Sequence, residues 1–332
     1  MPPATLDGAT VEALITAASA APSIHNTQPW RFGLDPQTLT FTISAAPERA
    51  LHHSDPHGRA LHLSVGAALF NLRVAVTHFG WRPLTRLLPS PADPALLATV
   101  QLAATAKQAA AHRPDLYAGI ERRHTSRFPF ADRWPPPVVR AELVEAAHAE
   151  GATLSYPGVE ETERLLRLAA EAEFRNAHDG QRAAENLNWA PAGAGRTDGL
   201  PQTAFGRQDA TSRLPMRTFT GLCRSRALKT AAFEQHPLIA VLATAHDRRV
   251  DWLRAGQALE HVLLVATVHD VRASLLHQPL EWSHLRRSLR GPADLHSQVQ
   301  MLIRLGYGPP GSPTPRRDPS QVLRIHQRPA TT

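Results

Sequence analysis

Three short stretches carry more chemistry than their surroundings. The first, Pro22-Ser-Ile-His-Asn-Thr-Gln-Pro-Trp-Arg-Phe32, crowds Ser23, His25, Asn26 and Gln28 against Pro29-Trp30. Side chains of this kind offer donors and acceptors to a polar organic ligand, and a Pro-Trp pair packed below would hold them still. Taken alone, the same stretch is also what a polar turn over a core tryptophan looks like. The second, Glu121-Arg-Arg-His-Thr-Ser-Arg-Phe128, gathers Arg123, His124 and Arg127 around the Thr125 hydroxyl, and the third is Arg316-Arg317 in a Pro-rich tail. Guanidinium forks suit anions. A basic cluster by itself is more often solvated surface.

Other chemistries find less support. His52, His53, His57 and His62 lie near Asp55, but their spacing, broken by Pro56 and Gly58, does not put metal ligands on one helix face. Neither a G-x-G-x-x-G loop nor a P-loop nor a serine-hydrolase elbow is expected, and with them no separate dinucleotide site. The single Cys223 has no partner for a disulfide or a zinc pair and reads as a structural thiol.

Composition narrows the class. The 332 residues suffice for two domains, and 42% apolar with 20% charged residues is ordinary for a soluble globular chain. The net charge of +7 invites a nucleic-acid reading, but the basic residues are scattered, nearly all are Arg, and no recognition signature accompanies them. The longest apolar runs, such as 238–245, fall short of a membrane span, and residues 1–7 do not read as a signal peptide. A cytoplasmic protein with no nucleic-acid or membrane partner is expected.

The elements that must position these stretches follow from periodicity. Residues 10–19 predict a helix ending before Pro22, and Trp30–Phe32 and Leu39–Ile43 predict a strand pair turning at Asp35-Pro36. The opening loop thus lies between helix and sheet. Residues 61–78 predict a long amphipathic helix with small residues at Gly66, Ala67 and Ala68. A second such stretch follows at a constant offset of 190 residues, which brings Gly66 onto Gly256, Ala68 onto Ala258 and Thr77 onto Thr267. Residues 11–18 resemble 140–147, and each half has a later strand candidate, 98–102 and 238–242. The chain therefore reads as two diverged copies of one α+β unit. Residues 176–226 break the pattern as a polar, Gly-rich, loop-like insertion.

Ser23, Asn26, Gln28, Pro29 and Trp30 match the SxxNxQPW signature of the nitroreductase-like FMN proteins, and 121–128 resembles that family's RRSxR helix start. "DPHGRALHLSVGAAL", "DGLP" and "LRAGQALE" extend the similarity to the Acg branch over nearly the whole chain. The resemblance implies FMN. Ser23, Ile24, His25, Asn26 and Gln28 would clasp it from the first half. Arg123, His124, Thr125 and Arg127, with Arg316 or Arg317, would hold its phosphate and ring from the second. Backbone groups at Leu276, His277 and Gln278 would face flavin N5. SxxNxQPW occurs only in the first half and RRHTSR only in the second, so parts for one FMN remain.

The expectation is an α+β chain of two nitroreductase-like α/β halves, 1–118 and 119–332, folded as a monomeric intrachain pseudodimer with a central lid at 176–226. NAD(P)H would donate hydride to the flavin and a small-molecule acceptor would take it in ping-pong order. No side chain need act as acid or base. The alternative is a protein that sequesters free flavin beneath its lid with little turnover.

Overall fold

A computed structural model describes residues 6–104, 115–190, 193, 195–219, 229–291 and 297–325; Cys223 lies outside them. In chain order the elements are α1 (Gly8–Ser19), β1 (Trp30–Asp35), β2 (Thr40–Ala45), α2 (Arg59–His78), β3 (Trp81–Leu87), β4 (Leu96–Ala104), α3 (Leu116–Arg122), α4 (Pro137–Ala149), β5 (Thr153–Ser155), α5 (Val159–His178) and α6 (Gly180–Trp189). There follow β6 (Gln208–Asp209), β7 (Thr230–Ala231), β8 (Leu238–Thr244), α7 (Arg249–Val268), β9 (Arg272–Leu275), α8 (Ser283–Ser288), β10 (Gln298–Gly306), α9 (Pro319–Val322) and β11 (Leu323–Ile325). The chain is a mixed α+β protein.

Local chemistry sets the first elements. The Asp7 carboxylate accepts the Thr10 amide at 2.8 Å and starts α1. Asp35 accepts the Gln37 amide at 2.9 Å and turns β1 into β2, as the Asp-Pro pair predicts.

The strands form two main sheets. One runs β11-β1-β2-β4-β3 and the other β5-β8-β10-β9. Apart from β11, which pairs in parallel with β1, both have the same antiparallel succession and the same helix placement, with α1 matching α4 and α2 matching α7. This topology corrects one detail of the sequence reading. Residues 98–102 lie in β4, whose counterpart is β10, whereas 238–242 lie in β8, the counterpart of β2. Both are apolar strands, and apolar strands at matching distances from a helix are not told apart by periodicity.

The central contact is between α2 and α7. A Cβ on Gly66 would lie 2.3 Å from the Leu253 carbonyl oxygen, and one on Gly256 would lie 2.1 Å from that of Leu63. The two helices therefore meet backbone to backbone, and the two contacts are related by the same 190-residue offset. Helix α2 is not amphipathic as expected. It is buried nearly all round, because α1, α3, α7 and the first sheet surround it. Its composition would also let it cross a membrane, but 83% of its most apolar window is covered by the rest of the protein.

The insertion between β5 and β8 also departs from expectation. It contains α5 and α6 and so starts well before Asn176, which is a buried residue in the last turn of α5. Residues 176–226 are not simply loop-like: the polar sequence of α6 is helical, with the Asp179 carboxylate accepting the amides of Gln181 and Arg182. Helix α3 spans residue 118, and β11 returns from the C-terminal part of the chain to the first sheet.

Replacing Gly256 by Ala should destabilise the protein by about 2 kcal/mol, since two backbones must separate to admit one methyl. Thermal unfolding should show this as a lowered midpoint. Gly180→Ala, at a helix position with open space around it, should leave the midpoint unchanged.

Candidate functional site

The α2–α7 contact leaves a cleft beside it that encloses about 1110 Å³, part of it open to solvent. Helix α2 contributes Leu63, Ser64 and Ala67 to its wall, and the opening loop, the 123–127 segment, the 274–278 segment and the C-terminal tail close around it.

The opening loop is held by its own polar groups. Ser23 Oγ accepts the Gln28 amide at 2.9 Å, and His25, Asn26 and Gln28 all take positive φ, at 50°, 55° and 50°. Three such residues in one loop store strain that the surroundings must hold. Asn26 donates from Nδ2 to the carbonyls of Gly199 and Pro315, both at 2.9 Å, and accepts from Arg316 at the same distance. Below the loop Trp30 is fully buried, as a packed Pro-Trp anchor requires. Ser23, Ile24, His25 and Asn26 line the cleft. Gln28 does not: its amide donates to the Thr197 carbonyl at 2.8 Å and accepts the Arg317 backbone N–H at 2.9 Å. It ties the insertion and the tail to the loop.

Thr27 Oγ1 and the His25 ring are the loop's buried polar groups without a hydrogen-bond partner, and of the two His25 lines the cleft. Its ring is buried, both nitrogens lack a hydrogen-bond partner, and it stands edge-on to Phe219 at 5.7 Å between centroids. Burial, reinforced by Arg217, holds its pKa well below the ordinary value, so the ring is neutral with one donor and one acceptor to offer.

Arg123, His124, Thr125 and Arg127 all reach the cleft. They do not start a helix, however. Helix α3 ends at Arg122, and the segment beyond it is extended, with Thr125 bridged to Ala273 and the Ser126 amide donating to the Ala273 carbonyl at 2.9 Å. Pairing to strand β9 competes successfully with helix formation, so an anion here relies on side-chain charge and not on a helix dipole. Burial, with Arg123 next, pushes His124 down to about 4.

The two arginines of the tail take different directions. Arg316 lines the cleft, whereas Arg317 turns away and donates to the backbone carbonyls of Gln28 and Trp30, the latter at 3.0 Å. Gly306-Tyr-Gly-Pro-Pro-Gly311 does have the G-x-G-x-x-G spacing, contrary to the expectation of no such signal. It leads into an extended segment without a helix, and its two prolines lack N–H donors, so it is no dinucleotide loop. Its glycines serve close packing: a Cβ on Gly311 would meet the Thr125 carbonyl oxygen at 2.1 Å.

On the third wall, Leu276, His277 and Gln278 are present, but the Leu276 N–H is committed to the Leu302 carbonyl at 2.9 Å. The His277 ring faces Glu281 Oε1 at 3.2 Å through Nδ1 and Arg59 at 2.7 Å through Nε2. Burial, the largest cause, lowers its pKa to about 4. The neutral ring thus donates to the carboxylate and accepts from the guanidinium, and neither nitrogen is free to shuttle a proton.

Sequence reasoning missed the contribution of the insertion. Leu200, Ala204, Met216, Arg217 and Phe219 line the cleft. Their anchor is Glu281, which is buried among Asn176, Arg182 and Arg217 of the insertion and His277 of the body. Burial alone would raise its pKa, but Arg217 and the His277 hydrogen bond outweigh that and hold it far below the carboxylate range. No local motif marks these residues. The only sequence signal is Arg and Glu at positions that later prove buried.

The charges can be counted. Of the four arginines lining the cleft, Arg123 faces Glu260 and Arg217 faces Glu281, while Arg127 and Arg316 have no carboxylate partner among the described residues. Two guanidiniums without a carboxylate ion pair, although Arg127 also donates to the Ala204 carbonyl and Arg316 to Asn26 and the Ala20 and Ala21 carbonyls, suit with the His124 ring and the Thr125 hydroxyl a doubly charged anion. The unpartnered His25 ring and the apolar walls at Leu63, Ala67 and Phe219 suit a flat organic body attached to it.

These features define a two-sheet α+β protein with a cleft beside its central helix pair whose lining suits an anionic small molecule. No protein-family model matches the chain. It is 33% identical over 322 residues, 96% of this chain and 92% of the relative, to a Mycobacterium tuberculosis (strain H37Rv) protein named "Putative NAD(P)H nitroreductase Rv3131". It is 25% identical, over 99% of both chains, to "Putative NAD(P)H nitroreductase acg" of the same organism. A crystal structure of a nitroreductase with bound FMN from Desulfitobacterium hafniense DCB-2 superposes with a TM-score of 0.40 at 14% identity, covering 64% of this chain and 98% of that one, too distant to carry an argument. The chain belongs to the nitroreductase-like superfamily, in its Acg branch.

Glu281→Gln should loosen the insertion, because breaking a buried ion pair leaves Arg182 and Arg217 poorly compensated, at a cost of about 3 kcal/mol or more. Limited proteolysis should cut within residues 179–219 at least about tenfold faster than in the parent protein.

Proposed function

We propose that the protein is an FMN-dependent NAD(P)H oxidoreductase of nitroreductase type, with one flavin per chain held between two halves of a pseudodimer, 1–118 and 119–332. The observation that carries this reading is the pair of uncompensated arginines, Arg127 and Arg316, facing an unpartnered buried His25 across one cleft. Arg316, Arg123, His124 and Thr125 would hold the phosphate. Arg127, His25, Ile24 and the free amides of His277 and Gln278 would meet the ring system. Bound FMN would supply hydride acceptance from a reduced nicotinamide and its passage to a small-molecule acceptor, in ping-pong order. The protein's own part is to orient the flavin, exclude water and leave the redox face to exchangeable partners.

The fold supports a single site. At the 190-residue offset, Ser64 and Ala67 of the cleft correspond to Arg254 and Gln257. Gln257 accepts from Arg73 at 2.7 Å, and Arg73 pairs with Glu150 at 2.5 Å. The buried Gln257, bonded to Arg73, thus stands where a second cleft would need the small Ala67. We take the insertion, from α5 through Phe219, as a lid. Because it lines the cleft, flavin sequestration with little turnover is the second reading.

Anaerobic titration with NADH or NADPH separates the two. The oxidoreductase reading expects the flavin's visible absorption to bleach and to return on adding a nitroaromatic acceptor; no bleaching by either donor over hours would overturn it in favour of sequestration. Released FMN should approach one per chain. Arg316→Ala should weaken FMN binding by about tenfold to a hundredfold, the worth of a charge-assisted contact, measured by quenching of flavin fluorescence.

A further inference from the structure

Glu260 is a buried acid that neither the fold nor the oxidoreductase chemistry requires. It sits on α7 with no exposed surface, and both carboxylate oxygens lack a hydrogen-bond partner. Its counterpart at the 190-residue offset is Phe70, so an apolar side chain satisfies the equivalent place in the other half. A buried carboxylate costs more than an apolar residue of similar size unless it is well compensated. Glu260 has one close compensation, Arg123 Nε at 3.3 Å, and Arg123 lines the cleft.

We propose that Glu260 is a positioning residue acting through Arg123: it sets how much positive charge the cleft presents to a phosphate ester, which is held most tightly when Glu260 carries a proton. The inference rests on the flavin reading above. With Glu260 ionised, Arg123 is shared between a carboxylate and the incoming phosphate, and the two anions repel. With Glu260 protonated, Arg123 belongs to the phosphate alone. The charged groups facing Glu260 are Arg123, beyond α3, and Arg316, on the tail, and α2 presents the neutral amide of Asn71. His124 stands beside the two arginines. Burial raises Glu260 to about 7, against the pull of Arg123, so the switch lies in the physiological range.

The sign follows from linkage. A bound dianion raises the Glu260 pKa further, so the complex takes up a proton, and affinity is highest below pH 7 and falls as pH rises through that value. A further shift of one unit corresponds to about a fivefold weakening between pH 6.5 and 8.5. The second ionisation of the phosphate, near 6, acts in the opposite direction, strengthening binding as pH rises. Burial lowers Arg316 only to about 9, so it stays charged over most of this window.

The test is FMN affinity of the full-length, flavin-stripped chain from pH 6.5 to 8.5, with riboflavin, which lacks the phosphate, as the second probe. FMN binding should weaken about fivefold while riboflavin binding stays flat, and Glu260→Gln should bind FMN tightly and lose this fivefold weakening, keeping only the small slope set by the phosphate and Arg316. Calorimetry on the parent protein at pH 7.5, in buffers of different ionisation enthalpy, should show uptake of about half a proton with FMN and none with riboflavin; this measurement stands even if the Gln variant does not fold. An equal slope in parent and variant, or FMN binding without proton uptake, overturns the role of Glu260 and leaves the flavin reading intact. No FMN binding at any pH overturns both.

Discussion

The contact on which the structure depends is the backbone-to-backbone meeting of α2 and α7 at Gly66 and Gly256. Helices carrying ordinary side chains at that point would stand farther apart. Here the carbonyls of Leu63 and Leu253 occupy the space that side chains would need, with the first sheet packed on α2 and the second on α7. The cleft is a consequence of this approach. One wall is α2, and the opposing segments begin where α3, β9 and the tail reach across from the other half.

Within the cleft, the division between satisfied and unsatisfied groups is informative. Asn26, Gln28 and Arg317 all bond to hold the opening loop, and their bonds explain how three residues persist at positive φ. The His25 ring is left with two unused nitrogens at the end of that strained turn. A loop built so firmly around one free ring is preorganised for a partner supplied from outside.

Two buried carboxylates govern the surrounding charge in different ways. Glu281 is surrounded by donors, remains ionised and pins the insertion over the cleft. Glu260 has Arg123 beside it, with Arg316 and the Asn71 amide also facing it but no hydrogen bond of good geometry, so burial prevails and its proton is weakly held near neutrality. The same residue type thus gives a permanent clamp in one place and a titratable neighbour in another. The difference lies in the number of donors that converge on each.

Some of this was legible before any coordinates. The recurrence of Gly66 at Gly256 is periodic, so the residue types alone pointed to a doubled α+β unit, whereas Ser23, Asn26, Gln28 and Trp30 and the clustered Arg123 to Arg127 also allowed a polar turn and a solvated basic surface, and it was the family resemblance that favoured a clasp and an anion site. Tertiary structure decided what depends on direction. Arg316 is held at the cleft by Asn26 and the Ala20 and Ala21 carbonyls while those of Gln28 and Trp30 take its neighbour Arg317, all of them nearly 300 residues distant in sequence. The Leu276 amide is lost to β10, the helix expected at Arg123 gives way to pairing with β9, and the polar stretch near residue 180 becomes helical around a carboxylate cap. Glu260, Arg217 and Glu281 acquire their roles only through burial, and burial is a property of the packed chain that no spacing of residues records.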